Sequence, residues 1–159
     1  MKALLVSLVL VLTTACLAIA GGPAGTVAYP DGYRDWRHVK SMVIEPGHPL
    51  HDSFGGIHHL YANERAMKGY RKGSFPDGSV IVFDLLASAT GGNAVQEGDR
   101  KVLGVMQRDR RAFAATGGWG FEAFVEGDAN RRLQPDAAAC YACHTSQAQT
   151  EYVFSRARD

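Results

Sequence analysis

"FPDGSVIVFDLLA", residues 75–87, decides how the rest of the chain is read. Pro76-Asp77-Gly78 is a turn, with glycine where a positive φ is wanted. Val80 to Leu86 then runs in β-branched and apolar residues, the composition of a strand. Downstream, "KVLGVMQRD" (101–109) is a second strand, and the polar "SATGGNAVQEGDR" (88–100) between them reads as the long loop of a hairpin. "WGFEAFVEG" (119–127) alternates Trp119, Phe121 and Ala123 against Gly120, Glu122 and Phe124, giving another strand after a short helical piece, "RDRRAFAA".

Upstream, "NERAMKGYRKG" (63–73) changes to helical period. Asn63 is placed to cap it, Ala66, Met67 and Tyr70 form its apolar stripe, and Gly73 is placed to stop it. "IHHLYA" (57–62) alternates Ile57, His59 and Tyr61 against His58 and Leu60, and "VKSMVIE" (39–45) is a further strand. Between them "PGHPLHDSFGG" reads as a loop. "DGYRDWRHV" (31–39) has Tyr33, Trp36 and Val39 at helical spacing, with Asp31 as candidate N-cap. A last helix starts near Asp136. The expectation is an α+β fold: a small antiparallel sheet of about five strands with flanking helices, one of them at the C-terminus.

The first residues, "MKALLVSLVLVLTTACLAIAGG", carry a basic Lys2, an apolar stretch from Ala3 to Leu12 and an Ala18-Ile19-Ala20 cleavage pattern. They read as a signal peptide over residues 1–20, with one mature domain over 21–159 and export to the periplasm. The apolar stretch before Thr13 is short for a bilayer span, so no integral membrane segment is expected after cleavage. Cys16 as a lipidation site fits poorly, because Thr13 stands where such a site prefers Leu. Lys+Arg number 17 against 16 Asp+Glu, and without a basic run a nucleic-acid partner is not expected.

Cleavage would leave Cys140 and Cys143 as the mature cysteines, in "CYACHT" (140–145). Three chemistries use such a pair. Zinc needs four ligands, and although His48 and His51 form H-x-x-H, they lie in a loop that also holds two prolines. A thioredoxin-like redox pair belongs to a βαβ unit, which this pattern lacks. Covalent haem needs two thiols for the two vinyl groups and a following imidazole for the iron, and C-x-x-C-H supplies both on one helical turn. Cys140 and Cys143 are therefore the candidate haem anchors and His144 the candidate axial ligand of a c-type haem. After His144, "TSQAQTEYVFSRARD" contains neither Met nor His, and spacing nominates none of Met42, Met67, Met106 or the other histidines as a second ligand. An open iron position, suited to ligand binding or chemistry, is expected.

The stretches "YPDGYRDWRHV", "FGGIHHLYANERAMKGYRKGSFPDGSVIVFDL", "GDRKVLGVMQRD", "WGFEAF" and "AACYACHTSQAQTEYVFSR" resemble the cytochrome P-460 family, over about residues 29–156. Within it, the chain is similar to the β-sheet cytochromes c′ (cytochrome c′-β). The resemblance implies a five-stranded sheet, a homodimer and one covalently attached haem c with a proximal His. Hydroxylamine-oxidising members carry a Lys in the strand after "DG" that bonds to the porphyrin, and here that position is Phe83. In the c′-β branch two phenylalanines cap the distal haem face, and they match Phe54 and Phe83. The resemblance thus implies five-coordinate iron binding nitric oxide or carbon monoxide, for NO binding, scavenging or sensing. An apolar cap offers no hydrogen-bond donor, which dioxygen needs more than NO does. The alternatives are a P-460-type oxidoreductase acting on hydroxylamine or NO (or weakly on peroxide) and an electron carrier with a redox partner. His58 and His59 are read as solvated or satisfied histidines, with a hydrogen bond from one of them to bound ligand as the alternative. Arg71, Arg108, Arg110 and Arg111 are read as solvated surface charge, with a haem-propionate partner among them as the alternative.

Overall fold

The computed structural model describes residues 25–158. The signal peptide expected over residues 1–20, with Cys16, lies outside the described residues. Five antiparallel strands, β1 (Arg37–Ile44), β2 (Gly56–Ala62), β3 (Val80–Gly91), β4 (Ala94–Arg108) and β5 (Trp119–Val125), pair in chain order. Helix α1 (His51–Phe54) lies between β1 and β2, α2 (Glu64–Lys72) between β2 and β3, and α3 (Ala137–His144) follows β5. The fold is α+β. Among the described residues no helix is long and apolar enough to cross a membrane.

Helix α2 starts and stops where its sequence says. Asn63 Oδ1 accepts from Ala66 N at 2.9 Å and from Val80 N at 3.1 Å, tying the helix start to β3. Gly73, at φ 74°, ends it in the left-handed region that glycine enters without a Cβ penalty.

Two readings are corrected. No helix covers 31–39: a single 3-10 turn spans Tyr33–Asp35, and β1 begins at Arg37. Tyr33 and Val39 belong to different cores, so their helical spacing was coincidence, and a bulge between His38 and Lys40 turns Val39 inward. The polar stretch 88–100 is not a loop either. It extends β3 and β4 into a two-stranded arm, closed by Gly92 (φ 58°) and Asn93 (φ 60°). Two consecutive positive φ values at a two-residue connection make the type I′ turn that suits strand twist.

Each sheet face has its own core. On one face Val82, Leu103, Val105 and Phe124 are covered by the segment carrying Val27 and Tyr33. On the other, Ala62, Ile81 and Trp119 pack with Val39, Ala66, Phe75 and Val153 under α2 and the C-terminal segment. That cover reaches only part of the second face. The period-two alternation continues it through Phe83, Gly104 and Ala123, which are aligned across β3, β4 and β5. The candidate site lies on that continuation.

Candidate haem site

Helix α3 carries the cysteine motif. Asp136 Oδ1 accepts from Ala138 N at 2.9 Å and so caps the helix start. Cys140 and Cys143, three residues apart, share a helix face as free thiols, the first half-buried and the second exposed. Burial pushes the Cys140 thiol above its ordinary value, with Asp136 adding to the effect.

His144 closes the helix against β5. Its ring lies 5.1 Å from Phe121 and 4.9 Å from Phe154, centroid to centroid. Nδ1 stands 2.7 Å from the Tyr152 carbonyl, and because a carbonyl only accepts, Nδ1 carries the proton. Nε2 is then the bare nitrogen, the tautomer that a metal ligand requires. Burial lowers the imidazole pKa, which also favours the neutral form.

The carbonyl that fixes this tautomer sits on an unusual turn. Glu151 (φ 51°, ψ 43°) and Tyr152 (φ 68°) are consecutive non-glycine residues in left-handed conformation. Such backbone costs on the order of 1 kcal/mol per residue and persists only where neighbours impose it. The neighbours are buried: Trp119 Nε1 donates to Glu151 O at 2.9 Å, and Phe75 N donates to Glu151 Oε2 at 2.6 Å. Arg108, 5% exposed, stacks its guanidinium 5.2 Å from the Trp119 ring and lies 3.6 Å from Glu151 Oε1. The solvated role expected for Arg108 is therefore corrected, since that residue is part of the core beside the motif.

Phe54 and Phe83 are brought together. Their rings meet edge to face at 5.8 Å, although α1 and β3 are distant in sequence. Phe83 packs over Gly104, where a Cβ would stand in ordinary contact, 3.4 Å from its ring. His58 joins them and is 2% exposed, not solvated. Its ring is 4.5 Å from Phe83, and its Nε2–H donates to the Phe54 carbonyl at 2.6 Å. Nδ1 of the same ring is buried without a partner. Lys101 Nζ donates to Gly55 O at 2.8 Å, a second tether on the segment that carries Phe54.

His59 faces the other way. Its Nε2 meets Glu97 Oε1 at 2.6 Å and its Nδ1 meets Ser41 Oγ at 2.6 Å, on the face opposite Phe83. Met67 and Met106 pack against the apolar core. Sequence reasoning missed His58, Glu151 and Arg108. Alternation on β2 did separate His58 from His59, but it carried no sign of which one would be buried.

These residues suit a flat apolar prosthetic group held by thioethers and one imidazole. Two free thiols share a helix face, a neighbouring imidazole has its tautomer fixed, and large apolar rings such as Phe54 (41% exposed) and Phe154 (53%) stand outside the core. The fold and this donor set define a c-type haem protein. The family described as Cytochrome P460 matches residues 30–155, and the chain belongs to the cytochrome P460 family. The pair at Phe54 and Phe83 is consistent with its c′-β branch. A search of the curated proteins found none that matches.

Proposed function

We propose that the mature chain is a periplasmic gas-binding haem protein whose ligand is nitric oxide. In this reading one haem is held through thioethers at Cys140 and Cys143, and His144 supplies its single protein ligand. When bound, the haem supplies an iron centre for diatomic ligands, and the protein sets which of them reaches it and stays. Export rests on the signal sequence over residues 1–20, and the homodimer rests on the family resemblance alone.

The observation that carries the proposal is the cap. Phe54 and Phe83 are apolar, and the one imidazole beside them has its N–H committed to the Phe54 carbonyl. The cap therefore has no free donor to offer a ligand. Dioxygen gains much from such a donor, whereas NO and CO gain little, so this environment favours the latter pair. Met67 and Met106 pack against the core, Met42 is exposed opposite His58, and five-coordinate iron rests on the family resemblance. Phe83 in place of Lys removes the porphyrin cross-link of the hydroxylamine-oxidising members.

Optical and stopped-flow measurements on the purified holoprotein test this. Ferrous protein should be high-spin with an ordinary c-type Soret band, and it should bind NO and CO. Phe83→Ala should speed CO entry, and Phe83→His should raise dioxygen affinity by supplying a donor. A low-spin ferrous spectrum would refute the single-ligand reading. A ferrous band displaced far to the red would restore the cross-linked alternative.

A further inference from the structure

We infer that Glu151 is the positioning residue for the axial histidine. The inference rests on the proposal that His144 ligates the haem iron. Glu151 touches neither the imidazole nor the thiols, and it acts through the backbone of its neighbour. His144 depends on one acceptor, the Tyr152 carbonyl, and that carbonyl is aimed by two successive left-handed residues. Local sequence does not impose this conformation, because neither residue is glycine. Side-chain contacts of Glu151 impose it. Its carboxylate accepts from Phe75 N at 2.6 Å and lies 3.6 Å from Arg108 Nη2 and 3.9 Å from Arg110 Nη2. Its own carbonyl is held by Trp119 Nε1 at 2.9 Å, and Trp119 is fully buried. The side chain thus ties the α2–β3 connection and the end of β4 to the turn beneath His144, and the carbonyl of the same residue ties β5 to it.

A strong Nδ1–H···O=C bond makes an imidazole a better electron donor through Nε2, and outer contacts of this kind tune a bound metal. Releasing the Glu151 turn should weaken that bond, weaken donation to iron and favour the ferrous state.

The test uses resonance Raman spectra of the ferrous holoprotein and the haem midpoint potential. In Glu151→Ala the iron–histidine stretching band should move to lower frequency and the potential should rise. Glu151→Gln keeps the volume and can still accept from Phe75 N but loses the arginine pairing, so it should move both quantities in the same direction by less. If Glu151→Ala fails to fold, Glu151→Gln decides alone. A wild-type band that stays unmoved in every folded variant would overturn this inference while leaving His144 as ligand. A wild-type ferrous protein with no such band would overturn the axial assignment and this inference with it.

Discussion

His58→Leu should loosen the cap without unfolding the sheet. His58 gives the fold one hydrogen bond, to the Phe54 carbonyl at 2.6 Å, and one edge-to-face contact, with Phe83 at 4.5 Å. Losing a bond of this kind costs about 1 kcal/mol, and Phe54 is exposed enough for its carbonyl to find water instead. The ring contact contributes about 0.5–1 kcal/mol more. Against these losses, leucine removes the buried unpaired Nδ1, which returns about 1–3 kcal/mol. The terms nearly cancel, so global stability should stay within about 1 kcal/mol of wild type.

The cap does not enjoy that cancellation. Helix α1 has four residues and no side-chain cap, and its C-terminal end is tethered by His58 and Lys101. Loss of about 1 kcal/mol from one tether corresponds to an opening about fivefold more populated. Flash photolysis of the CO-bound holoprotein should therefore give an association rate about fivefold above wild type, while urea denaturation gives a nearly unchanged midpoint. Lys101→Met should act in the same direction through the other tether. An unchanged association rate in His58→Leu, beside an accelerated one in Phe83→Ala, would refute the tethering argument.

Three other outcomes follow from the same geometry. Burial holds the His58 pKa below its ordinary 6.5, with the Phe54 carbonyl opposing and the His59 and Lys101 charges adding to the depression. The unfolded chain then takes up a proton that the folded one resists, so stability should be flat above about pH 6.5 and fall below it. His58→Leu should make the urea midpoint less steep with pH over that acid range, and identical slopes would contradict the assignment. Asp84, 1% exposed, accepts from Arg100 at 2.6 Å and 3.2 Å and from Tyr33 OH at 2.7 Å, so Asp84→Asn should cost about 3 kcal/mol in urea denaturation by leaving Arg100 without its charge partner. Replacing Cys140 and Cys143 together by Ala should leave a protein from which acid–acetone removes all haem colour, and retained colour would refute covalent attachment at this motif.

What the sequence disclosed depended on whether a residue's neighbours were local. Helix α2 was legible because Asn63, Gly73 and the stripe of Ala66, Met67 and Tyr70 lie within a few turns of one another. Strand β3 was legible up to Leu86, where its residues face a core. It was lost from Ser88 onward, because the arm meets no core on either side and so shows no apolar alternation to read. The cysteine motif was legible because C-x-x-C-H is a local pattern, complete within one helical turn. His58, Arg108 and Glu151 were not, since each owes its role to partners on other strands. Arg108 looked like surface charge, yet it stacks on Trp119 and faces a glutamate more than forty positions away. The pairing of Phe54 with Phe83 came from family resemblance, because no local rule joins a four-residue helix to the middle of β3.

The two sheet faces divide the work in a way that explains this placement of polar residues. On the proposed reading, the face that receives the haem is closed by a core over only part of its length, so fastening on the opposite face helps to hold the sheet. Asp84, the neighbour of Phe83 in sequence, points to the opposite face and joins β3, β4 and the N-terminal turn through Arg100 and Tyr33. Burial and the adjoining carboxylate push the Tyr33 phenol up to about 12, keeping it a donor throughout the physiological range. A second fastening lies on the same side. Arg158 has only donors, so His38 receives through Nδ1 at 3.2 Å and donates through Nε2 to Ser41 at 2.9 Å. Ser41 is then free to donate to His59, and His59 to Glu97, which draws the C-terminal segment, strands β1 and β2 and the arm into one directed chain. Charge and hydrogen bonding thus reinforce the core of one face, while the other face extends past the cover of α2 and the C-terminal segment to Phe83. The period of two along β3 is what allows adjacent residues, Phe83 and Asp84, to serve these opposite requirements.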